Sequence, residues 1–354
     1  MNTLAMSIPR KHRSVAIVSG KGGSGKTMIA AVMAELFDSI GSSVILVDAD
    51  TGTAGLSFYL GLEQVRNTSV GVSNLLTGGT SETRIRDSLQ PIRHLAHARF
   101  LSAGDRRAST VGLPDLNLRV KQLISGLDYL EPDVIIVDCR GGVDLESLAF
   151  CQAVDDIILI VESDTTSFQA SRDLVEMLGS VGIAPKLAGF IINKVFEDPS
   201  TVARNGTALF GTQFLSAIPF DFEAMRDFFV GRIPSVYSVF AVHVQHALHR
   251  AFPDETLPPD GHVYTFTEFR EVGLTNLDSL RGGLVASACI IFATVLFILS
   301  TLSSIAAPFH DFRVAVLVLS IVGLLGASEG TRRFMGRALN NVMSILLKPL
   351  QTRR

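Results

Sequence analysis

Residues 15–37, VAIVSGKGGSGKTMIAAVMAELF, contain the pattern that predicts the fold class. The stretch begins with a short apolar run, Val15–Val18, which is typical of a buried strand. Gly20 to Thr27 then match the G-x-x-x-x-G-K-[ST] pattern, and the amphipathic segment Met28–Ile40 follows directly. Glycines at such a turn let backbone N–H groups point inward at a helix N-terminus, where the helix dipole favours an anion. The stretch therefore predicts a phosphate-binding loop between a strand and a helix.

Short apolar runs recur outward from this loop, and amphipathic segments separate them. The runs that predict strands are Val15–Ser19, Ser43–Val47, Asp133–Val137, Ile157–Val161, Leu187–Ile192 and Phe214–Ile218. They are apolar on both faces, as the strands of a parallel sheet covered by helices on both sides must be. We therefore predict a doubly wound, mostly parallel α/β domain over residues 14–250, after a basic N-terminal tail at residues 1–13.

The phosphate-binding loop assigns chemistry to particular side chains. Lys26 should reach the β- and γ-phosphates of a nucleotide, and the Thr27 hydroxyl should bind Mg²⁺. Two acids, Asp48 and Asp50, end the next predicted strand, and their i, i+2 spacing puts both on one side of it, near the phosphates. The predicted nucleotide-binding residues of the loop are Gly20, Gly22, Gly23, Ser24, Gly25, Lys26, Thr27 and Met28.

The second lysine of the loop makes the pattern more specific. Residues 21–27, Lys-Gly-Gly-Ser-Gly-Lys-Thr, resemble the deviant Walker A loop of the MinD/ParA family of ATPases. The resemblance implies that Lys21 reaches across a homodimer interface to the phosphates bound by the other subunit. It also implies that Asp48 supports Mg²⁺ and that Asp50 orients the attacking water, so that Lys21, Lys26 and Asp50 form the catalytic set.

Further segments extend this resemblance over roughly residues 14–250. The strand ending in Asp138 is similar to a Walker B strand, which implies that Asp138 holds the magnesium shell. The family usually continues with Asp-x-Pro, but here Cys139-Arg140-Gly141-Gly142 follows. Arg140 could then be a nucleotide sensor, a partner contact or a surface residue. The resemblance also implies that Asn193 and Pro219 contact the adenine.

Composition and cysteine use exclude several other classes of protein. The net charge is −3 and charged residues are 18% of the chain, so it is not a generally basic nucleic-acid binder. Its three cysteines have no metal-ligand spacing, which excludes a disulfide scaffold, a zinc ribbon and an iron–sulfur ligand set. His243, His246 and His249 recur every three residues, a spacing open to metal binding but more typical of a structural or surface role.

The C-terminal quarter differs in composition from the domain before it. An acidic segment containing proline and glycine, residues 251–282, predicts a linker. Residues 283–328 predict a transmembrane hairpin made of the apolar runs 284–307 and 314–327, although the second run is short for a full span. Residues 329–354 predict a basic, amphipathic tail, which by the positive-inside rule lies in the cytoplasm with the ATPase domain. No signal peptide is expected, and we predict a multi-pass protein of the bacterial inner membrane.

Together these features predict a membrane-tethered, ATP-dependent dimerisation switch that hydrolyses ATP slowly with Mg²⁺. Its expected partners are a second copy across ATP, membrane lipid at the hairpin and tail, and an unidentified protein of a membrane assembly. A bacterial tyrosine kinase or polysaccharide co-polymerase is the first alternative, although their hairpin precedes the ATPase domain and their tail is rich in tyrosine. The only tyrosines here, none of them clustered, are Tyr59, Tyr129, Tyr237 and Tyr264. A DNA-partitioning ATPase is the second alternative, and nucleic acid is not among the expected partners.

Overall fold

A computed structural model describes residues 12–257, apart from residues 61–69, 106, 107, 109, 111, 143, 197, 255 and 256. All of these residues belong to the first of two units of the chain, residues 1–267. The predicted hairpin at 283–328 and the basic tail at 329–354 lie outside the described residues, as do most of the predicted linker and N-terminal tail. In the described ranges, no helix has both the length and the apolar character needed to cross a membrane.

Strands and helices alternate along the described chain. The strands are β1 (Arg13–Val18), β2 (Val44–Asp48), β3 (Gln90–Pro91), β4 (Ala98–Leu101), β5 (Val134–Asp138), β6 (Asp156–Glu162), β7 (Leu187–Val195) and β8 (Phe214–Pro219). The α-helices are α1 (Lys26–Ser39), α2 (Gly55–Tyr59), α3 (Val72–Gly78), α4 (Glu82–Ser88), α5 (Leu116–Asp128), α6 (Leu145–Ala153), α7 (Thr165–Ser180), α8 (Ser200–Phe210), α9 (Phe222–Phe229) and α10 (Val239–Ala251). A 3₁₀ turn at Ala184–Lys186 precedes β7.

Within the described residues the strands form one sheet of eight, in the order β3-β4-β2-β5-β1-β6-β7-β8. All neighbours are parallel except β3 and β4. This confirms the predicted doubly wound, mostly parallel sheet, and each of the six predicted strands is present. The sequence did not predict β3 or β4, because β3 has two residues and the exposed Arg99 interrupts the apolar pattern of β4.

Alternate residues of each central strand enter two separate hydrophobic cores. In β1, Val15 and Ile17 join the core formed with α1, α2, α9 and α10. Ala16 and Val18 join the core on the opposite face, formed with α3 to α8. Successive side chains of a strand point to opposite faces, so a sheet covered on both sides needs apolar residues at every position. Each large side chain buried in this way contributes about 1.5–3 kcal/mol to stability.

The carboxyl edge of this sheet collects the polar residues of the domain. Asp48 and Asp138 end β2 and β5, and the phosphate-binding loop follows β1 between β5 and β6. Glu162 ends β6, and Asn193 lies opposite it in β7. In open α/β sheets, ligands bind outside the carboxyl ends of the strands. The strand order therefore places a candidate site at this edge.

Candidate functional site

The loop between β1 and α1 has the backbone conformation of an anion cradle. Gly25 is the N-cap of α1 at φ 91°, and Gly23 has φ 83°, a left-handed conformation that side chains other than glycine rarely adopt. Gly20 fits because it has no side chain, since a Cβ there would lie 2.2 Å from the backbone carbonyl carbon of Ala170 in α7. The backbone conformation and the close approach of α7 explain why the loop has glycine at these three positions.

Two side chains of the loop point inward. The Lys26 side chain is buried, with the residue 6% exposed, and its Nζ donates a hydrogen bond to Ser19 Oγ at 2.9 Å. Ser24 is fully buried, and its hydroxyl has no hydrogen-bond partner in the part of the chain that the structure describes. A buried ammonium and an unpaired hydroxyl beside turned glycines fit a phosphate group, which accepts several hydrogen bonds.

Two buried carboxylates stand beside this loop. Asp48 and Asp138 are direct neighbours in the parallel register of β2 and β5. Burial raises the pKa of Asp48 to about 6 and that of Asp138 to about 7, although the Lys26 ammonium opposes the second shift. The Thr27 hydroxyl donates to Asp138, whose Oδ1 has no hydrogen-bond partner among the described residues. Carboxylate and hydroxyl oxygens in this arrangement fit Mg²⁺, which is bound by oxygen ligands.

Asp50 lies in the turn that joins β2 to α2. Its carboxylate accepts hydrogen bonds from the Thr53 N–H at 2.9 Å and from the Thr53 hydroxyl. Arg140 Nε lies 4.0 Å from Asp50 Oδ1, and the Arg140 side chain is 54% exposed. The structure thus brings Arg140, whose role the sequence left open, next to the predicted water-orienting acid.

Lys21 pairs with acids of its own chain. Its Nζ lies 2.7 Å from Glu162 Oε2 and 2.7 Å from Asp164 Oδ2, and its side chain is 30% exposed. The hydrogen bonds to Asp164 and Glu162 raise the pKa of Lys21. Desolvation acts the other way on Asp164, but the bond from Lys21 still lowers the pKa of Asp164 below its ordinary value. Lys194 Nζ completes the group by donating to Glu162 Oε1 at 2.5 Å and to the Gly23 carbonyl at 2.5 Å.

A cavity of about 290 Å³ opens from the loop toward α9. The predicted residues Met28, Asn193 and Pro219 all line it, together with Tyr59 and Phe228, whose rings lie 4.5 Å apart. The Asn193 amide donates to the Ser24 carbonyl at 2.8 Å, and its Oδ1 is without a hydrogen-bond partner within the described ranges. This oxygen is available to accept a hydrogen bond from a base. The role of Asn193 in reading adenine stays a prediction.

The structure brings every predicted site residue to one edge of the sheet, but the sequence missed several of their partners. Glu162, Asp164 and Lys194 were not predicted, although an acid at the carboxyl end of a buried strand is the signal that identified Asp48. Glu146 accepts a hydrogen bond from the Thr51 hydroxyl at 2.8 Å. No pattern in the sequence marks this residue as part of the site.

The three histidines His243, His246 and His249 all lie in α10. Among the described residues, no group of three or more His, Cys, Asp or Glu side chains could hold a metal ion. His243 is buried in α10, and desolvation lowers the pKa of its ring to about 4, so that the ring is neutral at pH 7. The buried position of His243 fits a structural role, and the roles of His246 and His249 stay predictions.

Comparison with known proteins places this site in a family. Residues 15–231 match the model of the CobQ/CobB/MinD/ParA nucleotide binding domain. The antiactivator FleN of Pseudomonas aeruginosa is 28% identical over 68% of this chain and 80% of its own length. A chloroplastic homolog of the septum site-determining protein MinD from Arabidopsis thaliana is 29% identical over 60% of this chain. An uncharacterized ATP-binding protein of Methanocaldococcus jannaschii is 28% identical over 52% of it.

The matched regions do not span the full length of some of these relatives. They span 65% of the Methanocaldococcus protein and 66% of the Arabidopsis protein, just under two thirds in both cases. The septum site-determining protein MinD of Pyrococcus horikoshii, solved with Mg-ADP, aligns with a TM-score of 0.57 at 22% identity, over 68% of this chain and 96% of that chain. MinD of Aquifex aeolicus, solved in a MinC:MinD complex, aligns with a TM-score of 0.57 at 18% identity, over 71% of this chain and 99% of that chain. These two structures share the fold.

Proposed function

The chain belongs to the CobQ/CobB/MinD/ParA nucleotide-binding family, and from this premise we propose that it is a membrane-tethered, ATP-dependent dimerisation switch. Family membership confirms the predictions of a P-loop ATPase and of ATP and Mg²⁺ as its ligands. The switch would couple slow hydrolysis to the position or state of a membrane-associated assembly. The observation that carries the proposal is the position of Lys21 in the phosphate loop, where its ammonium forms ion pairs with Glu162 and Asp164 of its own chain.

Hydrolysis at this site would depend on positioning and charge. The loop N–H groups and Lys26 would hold the phosphates, and Thr27, Asp48 and Asp138 would hold Mg²⁺, which supplies charge neutralisation when bound. Asp50 would orient the attacking water from the turn after β2. Asp48 and Asp138 end buried strands, and Lys26 and Thr27 lie in the first turn of α1, where packing fixes the direction of these side chains.

Lys21 would change partners when a second copy binds. Its present partners, Glu162 and Asp164, form ion pairs with a side chain that is 30% exposed. Solvent still reaches these partly buried pairs and screens them, so a nucleotide triphosphate with several negative charges can compete for the ammonium. The release of Lys21 from its own chain would then accompany formation of an ATP-bound dimer.

A protein partner and a membrane complete the proposal. The Aquifex aeolicus relative was solved in complex with MinC, and the Pseudomonas relative is named an antiactivator, which supports action through another protein. The apolar runs 284–307 and 314–327 and the basic residues after them support tethering to a bacterial inner membrane. In membranes from expressing cells, the full chain should resist extraction with alkaline carbonate, whereas a chain ending at residue 282 should not remain with the membrane.

The dimer is tested by the mass of the full chain in detergent micelles, measured by light scattering after gel filtration. With ATP and Mg²⁺ the Asp50→Ala variant should form a stable dimer, because it binds ATP but does not orient the water. The Lys21→Ala variant should stay monomeric under the same conditions. Lys121→Ala, which removes an exposed lysine of α5, is the matched control and should dimerise as the wild type does.

The same samples separate the alternatives. A chain that binds ATP but stays monomeric in every nucleotide state would contradict the dimerisation switch. Phosphotyrosine on the chain after incubation with ATP would then favour the kinase alternative. DNA binding that weakens steeply with salt would favour the partitioning alternative.

A further inference from the structure

Glu146 is an acid near the site that the phosphate-binding chemistry does not require. It lies in the first turn of α6, where Asp144 already caps the helix by accepting hydrogen bonds from the Glu146 N–H at 3.0 Å and the Ser147 N–H at 2.9 Å. Glu146 Oε2 accepts from the Thr51 hydroxyl at 2.8 Å and from the Thr110 hydroxyl at 3.1 Å. The side chain therefore faces the turn after β2.

The position of this carboxylate is unfavourable for folding. Glu146 Oε1 is buried and has no hydrogen-bond partner among the residues that the structure describes. Burial raises the pKa of Glu146, the hydroxyls of Thr51 and Thr110 oppose the shift, and the charges of Asp144 and Asp50 add to it. A buried carboxylate with one unpaired oxygen costs stability, so packing alone does not explain a glutamate here.

Thr51 connects Glu146 to the predicted water-orienting residue. Thr51 directly follows Asp50, whose carboxylate accepts from the Thr53 N–H and lies 4.0 Å from Arg140 Nε. The turn is thus held at two adjacent positions by residues of the segment that follows β5. Arg140 contacts the carboxylate of Asp50, and Glu146 binds the next side chain.

The segment that carries both contacts is itself fixed to the phosphate loop. The Gly142 N–H donates to the Ser19 carbonyl at 3.0 Å. A Cβ at Gly141 would lie 2.7 Å from Gly22 Cα, so the two backbones touch. A residue on this segment is therefore held in a fixed position relative to the phosphate-binding loop. It can set the position of Asp50 relative to that loop.

We propose that Glu146 is a positioning residue of the ATPase site, which fixes the turn carrying Asp50 through the hydroxyl of Thr51. The inference rests on the proposed function, since it concerns the rate of the hydrolysis that Asp50 serves. Glu146 is not one of the residues that would hold the phosphates or Mg²⁺, and its hydrogen bonds go to Thr51 and Thr110. Its loss should therefore lower kcat for ATP and leave the KM for ATP nearly unchanged.

The test compares ATP hydrolysis by the full-length wild type with that of Thr51→Val, Thr51→Ser, Glu146→Ala and the Thr51→Val/Glu146→Ala double variant. Thr51→Val keeps the shape of the side chain and removes the hydroxyl, so kcat should fall about tenfold while KM changes less than about twofold. Thr51→Ser restores the hydroxyl and should restore kcat. The double variant should be no slower than the slower single variant, because both remove the same contact.

Thr77→Val is the matched control, since this exposed hydroxyl donates to the Ser73 carbonyl one turn earlier in α3. It should leave both kinetic constants unchanged. Normal kcat in Thr51→Val, or additive losses in the double variant, would overturn the role of Glu146 while the ATPase stands. A wild type that binds ATP but does not hydrolyse it, even in a single turnover, would overturn the proposed function and this inference together.

Discussion

Glu35 is a partly buried acid in α1 whose energetic effect is set by desolvation. Its Oε2 atom is buried and has no hydrogen-bond partner within the described part of the chain. Burial, with a smaller contribution from the charge of Asp38, raises the pKa of Glu35 from 4.5 to about 7. The folded state therefore binds a proton more tightly than the unfolded state does, and the domain loses stability as the pH rises through about 7.

Replacing Glu35 with a neutral residue should remove the loss of stability at higher pH. At pH 8 the Glu35→Gln variant should be more stable than the wild type by about 1–2 kcal/mol, a value reduced because solvent screens a partly exposed group. The loss of stability accumulates between the unfolded and the folded pKa of Glu35, so most of the advantage should disappear at pH 5. Urea unfolding at both pH values measures the difference. Glu223→Gln at an exposed site is the control, and an equal gain at pH 5 and pH 8 would contradict the assignment.

Lys21 has observed partners that differ from its predicted ones. The sequence predicts that Lys21 acts across a dimer, and the structure places its ammonium on Glu162 and Asp164 of its own chain. Both positions agree with one mechanism if the lysine exchanges partners. The resemblance could not indicate the contact within the chain, because Glu162 and Asp164 lie at and just after the end of a different strand, more than 140 residues away from Lys21 along the chain.

Two glycines that lie inside helices differ in the space around them. Gly179 lies near the end of α7, and a Cβ there would meet no atom of the described residues within 4 Å. Gly206 lies in α8, and a Cβ there would be 2.7 Å from the ring of Phe190 in β7. The first glycine weakens its helix without a packing reason, whereas the second allows α8 to approach the sheet.

Alanine at these positions should therefore have opposite effects. Gly179→Ala should stabilise the domain by about 0.5–1 kcal/mol, because alanine lowers the entropy lost when the helix forms. Gly206→Ala should destabilise it by about 1–3 kcal/mol, because Phe190 has to shift in a packed core. Thermal unfolding of the two variants side by side gives the comparison, and changes of the same sign would show that the packing of α8 is not as described.

Ligand binding stabilises the molecule as a whole. If the carboxyl edge of the sheet binds ATP with Mg²⁺, the nucleotide at 100 times its Kd should add about 2.7 kcal/mol to the free energy of unfolding. For a domain of this size the melting temperature should rise by about 5–10 °C. A melting curve with ATP should therefore shift further with Mg²⁺ than with a chelator.

The two ends of β5 supply a matched pair of variants for this measurement. Asp138→Asn at the carboxyl end should remove the part of the shift that depends on Mg²⁺. Asp133→Asn changes the residue just before the strand, where the carboxylate accepts from the Ser43 N–H at 2.8 Å. It should lower the starting melting temperature and keep the full shift, and loss of the Mg²⁺ effect in both variants would argue against a metal site at Asp138.

The fold class and the central residues of the site could be predicted from the sequence alone. Strand–loop–helix order, the glycine pattern and apolar runs are local features, and the periodicity of a buried parallel strand is visible in one short segment. Lys26, Thr27, Asp48 and Asp138 follow from such segments, and the structure brings all four together at one edge of the sheet.

The side-chain contacts across that edge depend on the tertiary structure and could not be predicted from the sequence. Thr51 and Glu146 are 95 residues apart, and Lys21 and Asp164 are 143 apart. Their contacts depend on the order in which β2, β5, β1 and β6 lie in the sheet. No local periodicity encodes that order, because each strand alone is compatible with several neighbours. Packing of the helices over both faces selects one order, and with it the partners of Lys21, Asp50 and Glu146.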